Sequence, residues 1–599
     1  MKNLIIEPLK FYDAFGREQI VREAEQVFDG LVKSSSVDVT ENRKTAAEYR
    51  KLAAIAEGTN KKIKRLKVLK GFLIAFTVLG FLSVIIGIFL SSLAQILCIS
   101  IGLAVAIFCI LIISLKVNKV LKSAKDVYAK QKAKADSVYN IALNQMSALN
   151  ALFTERQTHE LIEKVLPNIK FEEYFSTELH SEFCKRYSYL DGIDKDRSVV
   201  NTVSGRYNGN PFLFLRYIDH HIGTKDYHGT LVISWTERVR DSDGRVRTVR
   251  RTQTLHAMVL KPYPYYNYKT ELLYGHQCSP DLNFSRTATD VEELSEKQVA
   301  RRVRKGEKKL KKMSEKALKT GDSFTEMANS EFDVLFGALD RDNEVQFRVM
   351  YTPLAQQNTV DLLVGDDIGY GDDFDFIKHG KYNKIVSEHA QRWNMDTSAN
   401  NYYSYDIDIA KQNFLEHNSK YFKSLFFDLA PLLSIPAYHE QPSVVFDPIE
   451  CHSNYSYYEH EIMANVIGAR CFKHEKSDTE IILKAKHLYS SGKTDCVEIA
   501  AHSYTGIPRV DFIPTLGGDG RMHAVPVPWV EYVPVCNVTN IAVKRVGLTQ
   551  NEFFNKANEN KSYERLKQRP MAYYHGLYAR IIDGVDVKNV DSDIENIIK

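Results

Sequence analysis

Residues 71–115 form an uninterrupted run without one charged side chain, and dense lysine and arginine flank it on both sides. A hydrocarbon core about 30 Å thick is crossed by roughly 20 helical residues, so this run is long enough for two spans. Its only polar cluster, Ser91-Ser92-Leu93-Ala94-Gln95, divides it into spans at 71–90 and 96–115 joined by a short turn. Lys61, Lys62, Lys64, Arg65, Lys67 and Lys70 precede the first span, and Lys116, Lys119, Lys122 and Lys125 follow the second. Positive residues stay on the cytoplasmic side. The pattern therefore predicts a multi-pass protein of the cell (plasma) membrane with both termini and the large domain cytoplasmic. A buried hairpin in a soluble core is the competing reading, and soluble core helices seldom run uncharged this long. Residues 1–60 hold no apolar stretch resembling a cleavable signal, so the first span is expected to act as the targeting signal.

About 480 residues follow the hairpin, room for two or three domains. A net charge of +4 on 599 residues does not mark a nucleic-acid binder. The eight cysteines include no C-x-x-C pair, which fits a reducing compartment without a disulfide framework. Tyrosine is abundant, with a cluster at Tyr263-Pro264-Tyr265-Tyr266-Asn267-Tyr268. Such clusters favour strands and contact surfaces, although an AT-rich coding sequence enriches the same residue.

Periodicity organises the rest. Ile20, Ala24, Val27, Phe28 and Leu31 share a helical face, and 41–70 reads as helix running into the first span. After the second span, Val117, Val120, Ala124, Val127, Gln131, Val138, Ile141, Gln145, Ala148 and Leu152 recur at 3 and 4 spacing. That is a coiled-coil-like seam, suited to an antiparallel stalk or to oligomerisation. From 198 onward strands are expected at 199–203, 211–217 and 230–235. A hairpin is expected about Asp241-Ser242-Asp243-Gly244, its second arm stopping at Pro262. Helix is expected at 291–319, 324–339 and 353–364, with a strand at 345–351 that carries Val345, Phe347 and Val349 on one face. Between 443 and 546 short apolar segments are broken by Pro508, Pro514, Pro526, Pro528 and Pro534.

The fold class is thus α+β: a two-span transmembrane helical hairpin with a helical stalk, then a large mixed cytoplasmic region with two β-rich lobes. The expected segments are N-terminal helices at 1–70, the hairpin at 71–115 and the stalk at 116–166. A β-rich lobe at 167–290 precedes a basic amphipathic helix at 291–322 and an α/β region at 323–440. A second β-rich lobe with a C-terminal helix and tail fills 441–599.

Glu331-Phe332-Asp333-Val334-Leu335-Phe336, then Asp340, Glu344, Arg348 and Thr352-Pro353-Leu354, resembles a block in an uncharacterised bacterial family. Members of that family join an N-terminal membrane hairpin to a cytoplasmic domain of unknown function. The resemblance implies anchoring and an α+β fold; it supplies no site.

Two cationic features stand out. Around a stripe of Val291, Leu294, Val303, Leu310, Met313 and Ala317 lie Lys297, Arg301, Arg302, Arg304, Lys305, Lys308, Lys309, Lys311, Lys312, Lys316 and Lys319. Such a helix could rest on anionic headgroups, or be a solvated helix laced by i,i+4 pairs. Arg238, Arg240, Arg245, Arg247, Arg250 and Arg251 on facing hairpin strands suit phosphate or carboxylate, or a protective charged edge.

The remaining motifs fall short of chemistry. Asp219-His220-His221 lacks the further ligands that a two-metal site needs. Cys451, His452, His460, Cys471 and His474 lack paired zinc knuckles. The acidic stretch 365–375 lacks EF-hand spacing. Gly492-Lys493-Thr494 ends like a P-loop, but His487 stands where its first glycine belongs. Neither catalytic residues nor a metal or cofactor is assigned. The function expected is a membrane-anchored cytoplasmic binding or scaffold module. Alternatives are a membrane-tethered sensor or hydrolase acting on a phosphorylated ligand, and a stalk-mediated structural oligomer. Expected partners are the bilayer through 71–115, anionic headgroups, a protein and a second copy of the chain; nucleic acid is not.

Overall fold

In the computed structural model the residues described are 5–88, 93–189, 196–240, 245–289, 291–321, 323–393, 395–442, 453–559, 568–582 and 587–598. The turn at 89–92, the hairpin tip at 241–244 and Cys451-His452 lie outside them. The fold mixes helix and sheet, with two long apolar helices and two antiparallel sheets. The chain divides into two units, one of 22–154 with 398–418, the other of 1–21, 155–397 and 419–599.

In the first unit α1 (Arg17–Ser35) contributes from residue 22 onward. α2 (Val39–Ile88) is one helix of 50 residues, α3 (Leu93–Ile112) follows it, and a π-helical turn leads into α4 (Asn118–Asn150). Both apolar stretches are long and apolar enough to cross a membrane. They meet through small residues. A Cβ on Gly80 would lie 2.7 Å from the Gly102 carbonyl oxygen, and one on Gly102 would lie 2.6 Å from that of Gly80. Glycine at both positions lets the backbones close on each other.

Beyond the spans α2 and α4 form an antiparallel pair with Ala46, Ala56 and Ile63 on one side and Leu121, Ala135, Val138, Ala142 and Leu149 on the other. The expected seam has the wrong second phase. Val117 and Val138 are buried, whereas Val120, Val127 and Ile141 are exposed and Leu121, Ala135 and Ala142 take the buried positions. A period of 3.6 drifts relative to a strict heptad, and small alanines permit the closer approach. Asn42 is fully buried and caps α9 (Ile407–Leu433; α5 to α8 are given below), its Oδ1 accepting from Ile407 N at 3.0 Å. Tyr49, Tyr139 and Tyr405 cluster beside it, with ring centroids 4.9–5.2 Å apart.

The second unit holds both sheets. Seven strands run β1 (Ile169–Phe171), β2 (Arg197–Tyr207), β3 (Asn210–Arg240), β4 (Val246–Gly275), β7 (Tyr382–Ser387), β6 (Phe374–His379), β5 (Asn283–Arg286). Five run β11 (Met571–Tyr574), β12 (Leu577–Ile582), β10 (Met522–Arg545), β9 (Thr494–Leu516), β8 (Ile482–Ser491). Every pairing is antiparallel. Between β5 and β6 the chain forms α5 (Glu296–Thr320), α6 (Ser330–Phe336), α7 (Glu344–Met350) and α8 (Pro353–Val364). α10 (Tyr457–Ile467) precedes β8, and α11 (Val587–Ile598) lies near the end of the chain.

β3 and β4, and β9 and β10, continue past their sheets as two-stranded ribbons. β4 has β7 as a second partner only at 272–275, β9 has β8 only at 494–502, and β10 has β12 only at 540–545. This explains why prolines do not stop them. Pro262 and Pro264 sit inside β4, and Pro508, Pro514, Pro526, Pro528 and Pro534 sit inside β9 and β10, all where the strand has an open flank. An edge strand has amide positions that face no partner, and proline fits there without costing a ladder bond. The expected strand stop at Pro262 is therefore overturned.

The two ribbons stack. Ile233, Leu255 and Val525 form a small core between them with Leu231, Trp235 and Ala257 at its margin. Lys261 pairs with Asp511 at 2.7 Å and lies over the Trp529 ring. At the crossing, a Cβ on Gly229 would be 2.0 Å from the Pro526 carbonyl oxygen.

The expected strand at 345–351 is instead helix α7, with Glu344, Phe347 and Met350 buried at a spacing of three, and Val345 and Val349 exposed. A seven-residue helix that buries one residue per turn leaves the alternate valines outside, which imitates a strand pattern.

Candidate functional site

The basic helix and the arginine hairpin singled out in the sequence occupy separate elements, α5 and β3–β4. α5 begins at Ser295, whose side chain and that of Gln298 make a reciprocal capping box, and ends at Gly321 with φ +75°. Leu310 and Ala317 are buried against Phe324, with Met313, Val334 and Leu339 packed around them. A Cβ on Gly306 would lie 2.4 Å from a Val334 methyl, so glycine there sets how closely α5 approaches α6. Ser330 Oγ donates to Glu307 Oε1 at 2.6 Å across the same contact.

The apolar stripe is thus consumed by the protein itself. What α5 presents outward is Lys297, Arg301, Arg304, Lys305, Lys308, Lys309, Lys311, Lys312, Lys316 and Lys319, all exposed. Arg302 is half-buried and donates to the Thr289 carbonyl at 3.0 Å. A groove of about 430 Å3 runs between α5 and α6, with Leu310, Val334, Leu339 and Gly306 on its floor and Arg302, Lys305 and Lys309 along its rim.

Asp333 also borders this groove but brings no free charge. Its Oδ1 accepts from Arg341 at 2.5 Å and its Oδ2 from Met327 N at 2.9 Å. Arg341 also donates to Glu344 Oε1 at 2.7 Å and to the Thr325 carbonyl at 2.9 Å. Burial alone would lower the Arg341 pKa, but the two carboxylates raise it on balance. Arg341 is the residue that the sequence did not single out between 331 and 354, since its link to Asp333 spans eight positions with no helical spacing to signal it. Glu344 and Arg348 stand one helical turn apart, 4.0 Å from each other. Asp340 accepts from the backbone and hydroxyl of Ser285.

The ribbon arginines do not form a single strip. Register places Arg238, Arg240 and Arg250 on one face of β3–β4 and Arg247 and Arg251 on the other. Arg251 pairs with Glu237 at 3.1 Å, and Arg250 donates to Ser234 Oγ at 3.3 Å. None of these arginines lines the α5 groove.

Other motifs resolve into local structure. Asp219 pairs with Lys269, and His220 faces Asp196 at 3.3 Å. His474 accepts from Lys476 N. In the acidic stretch, Asp372 is bonded to Arg286 and Asp373 to His389. Among the described residues no group of three or more His, Cys, Asp or Glu is placed to hold a metal ion.

Buried titratable groups occur elsewhere. His389 lies between Asp373, 2.5 Å away, and Asp428, 3.4 Å away. Burial opposes its protonation, yet the two carboxylates raise its pKa on balance, and burial pushes Asp428 up to about 6. Glu459 on α10 is pushed up to about 7 by burial, despite accepting from Phe175 N and Thr202 Oγ1. Lys378 is lowered by burial to about 8 and donates to the carbonyls of Cys278 and Gly380. These groups sit in the interior. On α5, Arg302, Lys305 and Lys309 stand beside an apolar floor. No protein-family model matches the chain, and neither a curated protein nor a solved structure matches it.

Proposed function

We propose that this chain is a membrane-anchored binding module that engages an acidic segment of a protein partner through α5. Anchoring is supported by the two apolar helices, of whose most apolar windows 11% and 17% are buried, unlike helices in a soluble core. The lysines at both ends of the hairpin favour cytoplasmic termini. The observation that carries the binding reading is the α5 groove. Its apolar stripe is already packed, so the helix is held in place with its cations outward, and pre-ordering lowers the entropic cost of association. Rim lysines suit carboxylates, and the floor of Leu310, Val334 and Leu339 suits one apolar anchor.

The test is affinity purification of the intact chain in mild detergent beside Lys305→Glu/Lys309→Glu. A stoichiometric protein should be retained by the first and lost by the second, with binding that weakens as salt rises. Identical recovery from both chains would remove α5 as the site.

A further inference from the structure

The ribbon β9–β10 has one face that packs and one that does not. Odd-numbered positions such as Asp511 and Val525 meet the β3–β4 ribbon. The five even-numbered register pairs from Pro508–Val530 to Leu516–Met522 therefore point the other way, and every member is apolar. Phe512 is 65% exposed, Leu516 63%, Met522 60% and Val510 50%. The face is contiguous and apolar, with its largest side chains more than half exposed.

Three observations choose its occupant. First, the prolines on both open flanks lack amide donors, which blocks addition of another strand. The occupant must lie on the face. Second, eight residue steps of about 3.4 Å and a width of about 10 Å give a footprint of roughly 270 Å2. That is about a third of the roughly 800 Å2 per partner in a stable complex, so a second copy docked here alone falls short. A lipid leaflet has no such minimum, because an anchored chain needs only shallow insertion. Third, charge continues the face. Gly518 N donates to Gln253 Oε1 at 2.7 Å, which sets the tip of β9–β10 beside β4, and beyond that tip register places Arg247 on the same face of β4 as Gln253 and Leu255, the face turned toward β9–β10.

We propose that the apolar face of β9–β10 is a second membrane contact. Phe512, Leu516 and Met522 enter the boundary between headgroups and acyl chains of an anionic leaflet, and Arg247, beyond the ribbon tip, binds a lipid phosphate. The proposal rests on the reading that the chain is membrane-anchored and is independent of the α5 site.

The experiment places the photo-crosslinker p-benzoylphenylalanine at Phe512 in the full chain, reconstituted in vesicles containing phosphatidylserine. Leu82, within the first span, is the positive control. Val232, equally exposed at 65% but on the opposite outer face of the ribbon stack, is the negative control. The expected result is lipid adduct at 512 within about threefold of that at 82, and at least tenfold less at 232. Pure phosphatidylcholine vesicles should lower the yield at 512 at least threefold. Crosslinks from 512 to a second copy or another protein, absence of lipid adduct, or equal lipid adduct at 232 would each overturn the proposal. Failure at Leu82 as well would instead overturn the anchoring reading, and this inference with it. Equal yields in the two vesicle types would remove the role of Arg247.

Discussion

Replacing Arg341 by Met tests whether the segment 325–350 is organised by one buried guanidinium. Arg341 and Asp333 side chains are fully or almost fully buried, and that of Glu344 is 8% exposed. Methionine would leave Asp333 with the Met327 amide alone and Glu344 Oε1 with the Thr325 amide alone. It would also remove the guanidinium from the faces of Phe324 and Phe347, 4.7 and 4.5 Å away. Removing one partner of a buried pair costs about 3–5 kcal/mol, because the charge left behind has no water to solvate it. Exposed pairs such as Arg43–Asp408 are worth about 0–1 kcal/mol. The readout is hydrogen–deuterium exchange of peptides covering 325–350 in the intact, detergent-solubilised chain. A loss of about 3–5 kcal/mol accelerates exchange roughly 100- to 5,000-fold where it is limited by cooperative opening. The triple variant Arg341→Met/Asp333→Leu/Glu344→Gln should recover most of the protection, since no buried charge remains. Acceleration below about tenfold in the single variant, or none recovered in the triple, would refute the charge argument.

Other perturbations separate the remaining claims. Gly306→Val should force α5 off α6 and cost about 1–3 kcal/mol by overpacking, with Val334→Ala restoring part of it; protease cleavage within 296–340 reads the difference. In the stalk, Ala142→Lys should destabilise by at least about 3 kcal/mol while Val127→Lys changes little, measured by thermal unfolding in detergent. Glu459 is protonated more readily folded, at about 7, than unfolded, at 4.5. Its contribution is therefore fully present below about pH 4.5 and lost as pH rises through 7. Glu459→Gln should flatten that part of the stability–pH curve and gain at most about 3 kcal/mol at pH 8. An unchanged slope between pH 5 and 7.5 counts against the burial argument.

How much was legible in the sequence follows from the range over which each signal acts. The apolar run and the capped basic helix announce themselves through local composition, and both appear as helices of nearly the expected extent. The stalk's helices were legible, but their contact phase was not, because the choice between Val120 and Leu121 depends on the opposing helix. Ribbon length was hidden by proline, whose meaning depends on whether a strand has a neighbour, and only the sheet order supplies that. α7 was misread because Val345, Phe347 and Val349 alternate as a strand would, while burial selects Glu344, Phe347 and Met350. Within the candidate site the cations of α5 could be read directly. The groove could not, since its floor joins Leu310 to Val334 and Leu339 through Gly306, a residue whose value lies in the side chain it lacks.

The crossing at Gly229 has a mechanical consequence. A lone two-stranded ribbon bends and twists easily, since only one ladder resists deformation. Where β3 and β10 cross, backbone meets backbone with no side chain to slide between them, and the Lys261–Asp511 pair and the Ile233–Leu255–Val525 nub lie along the same stack. Two pliable arms clamped at several points behave as one beam, stiffer than their sum. A force applied at the ribbon tip would reach the sheets as torque about that clamp rather than be dissipated by bending.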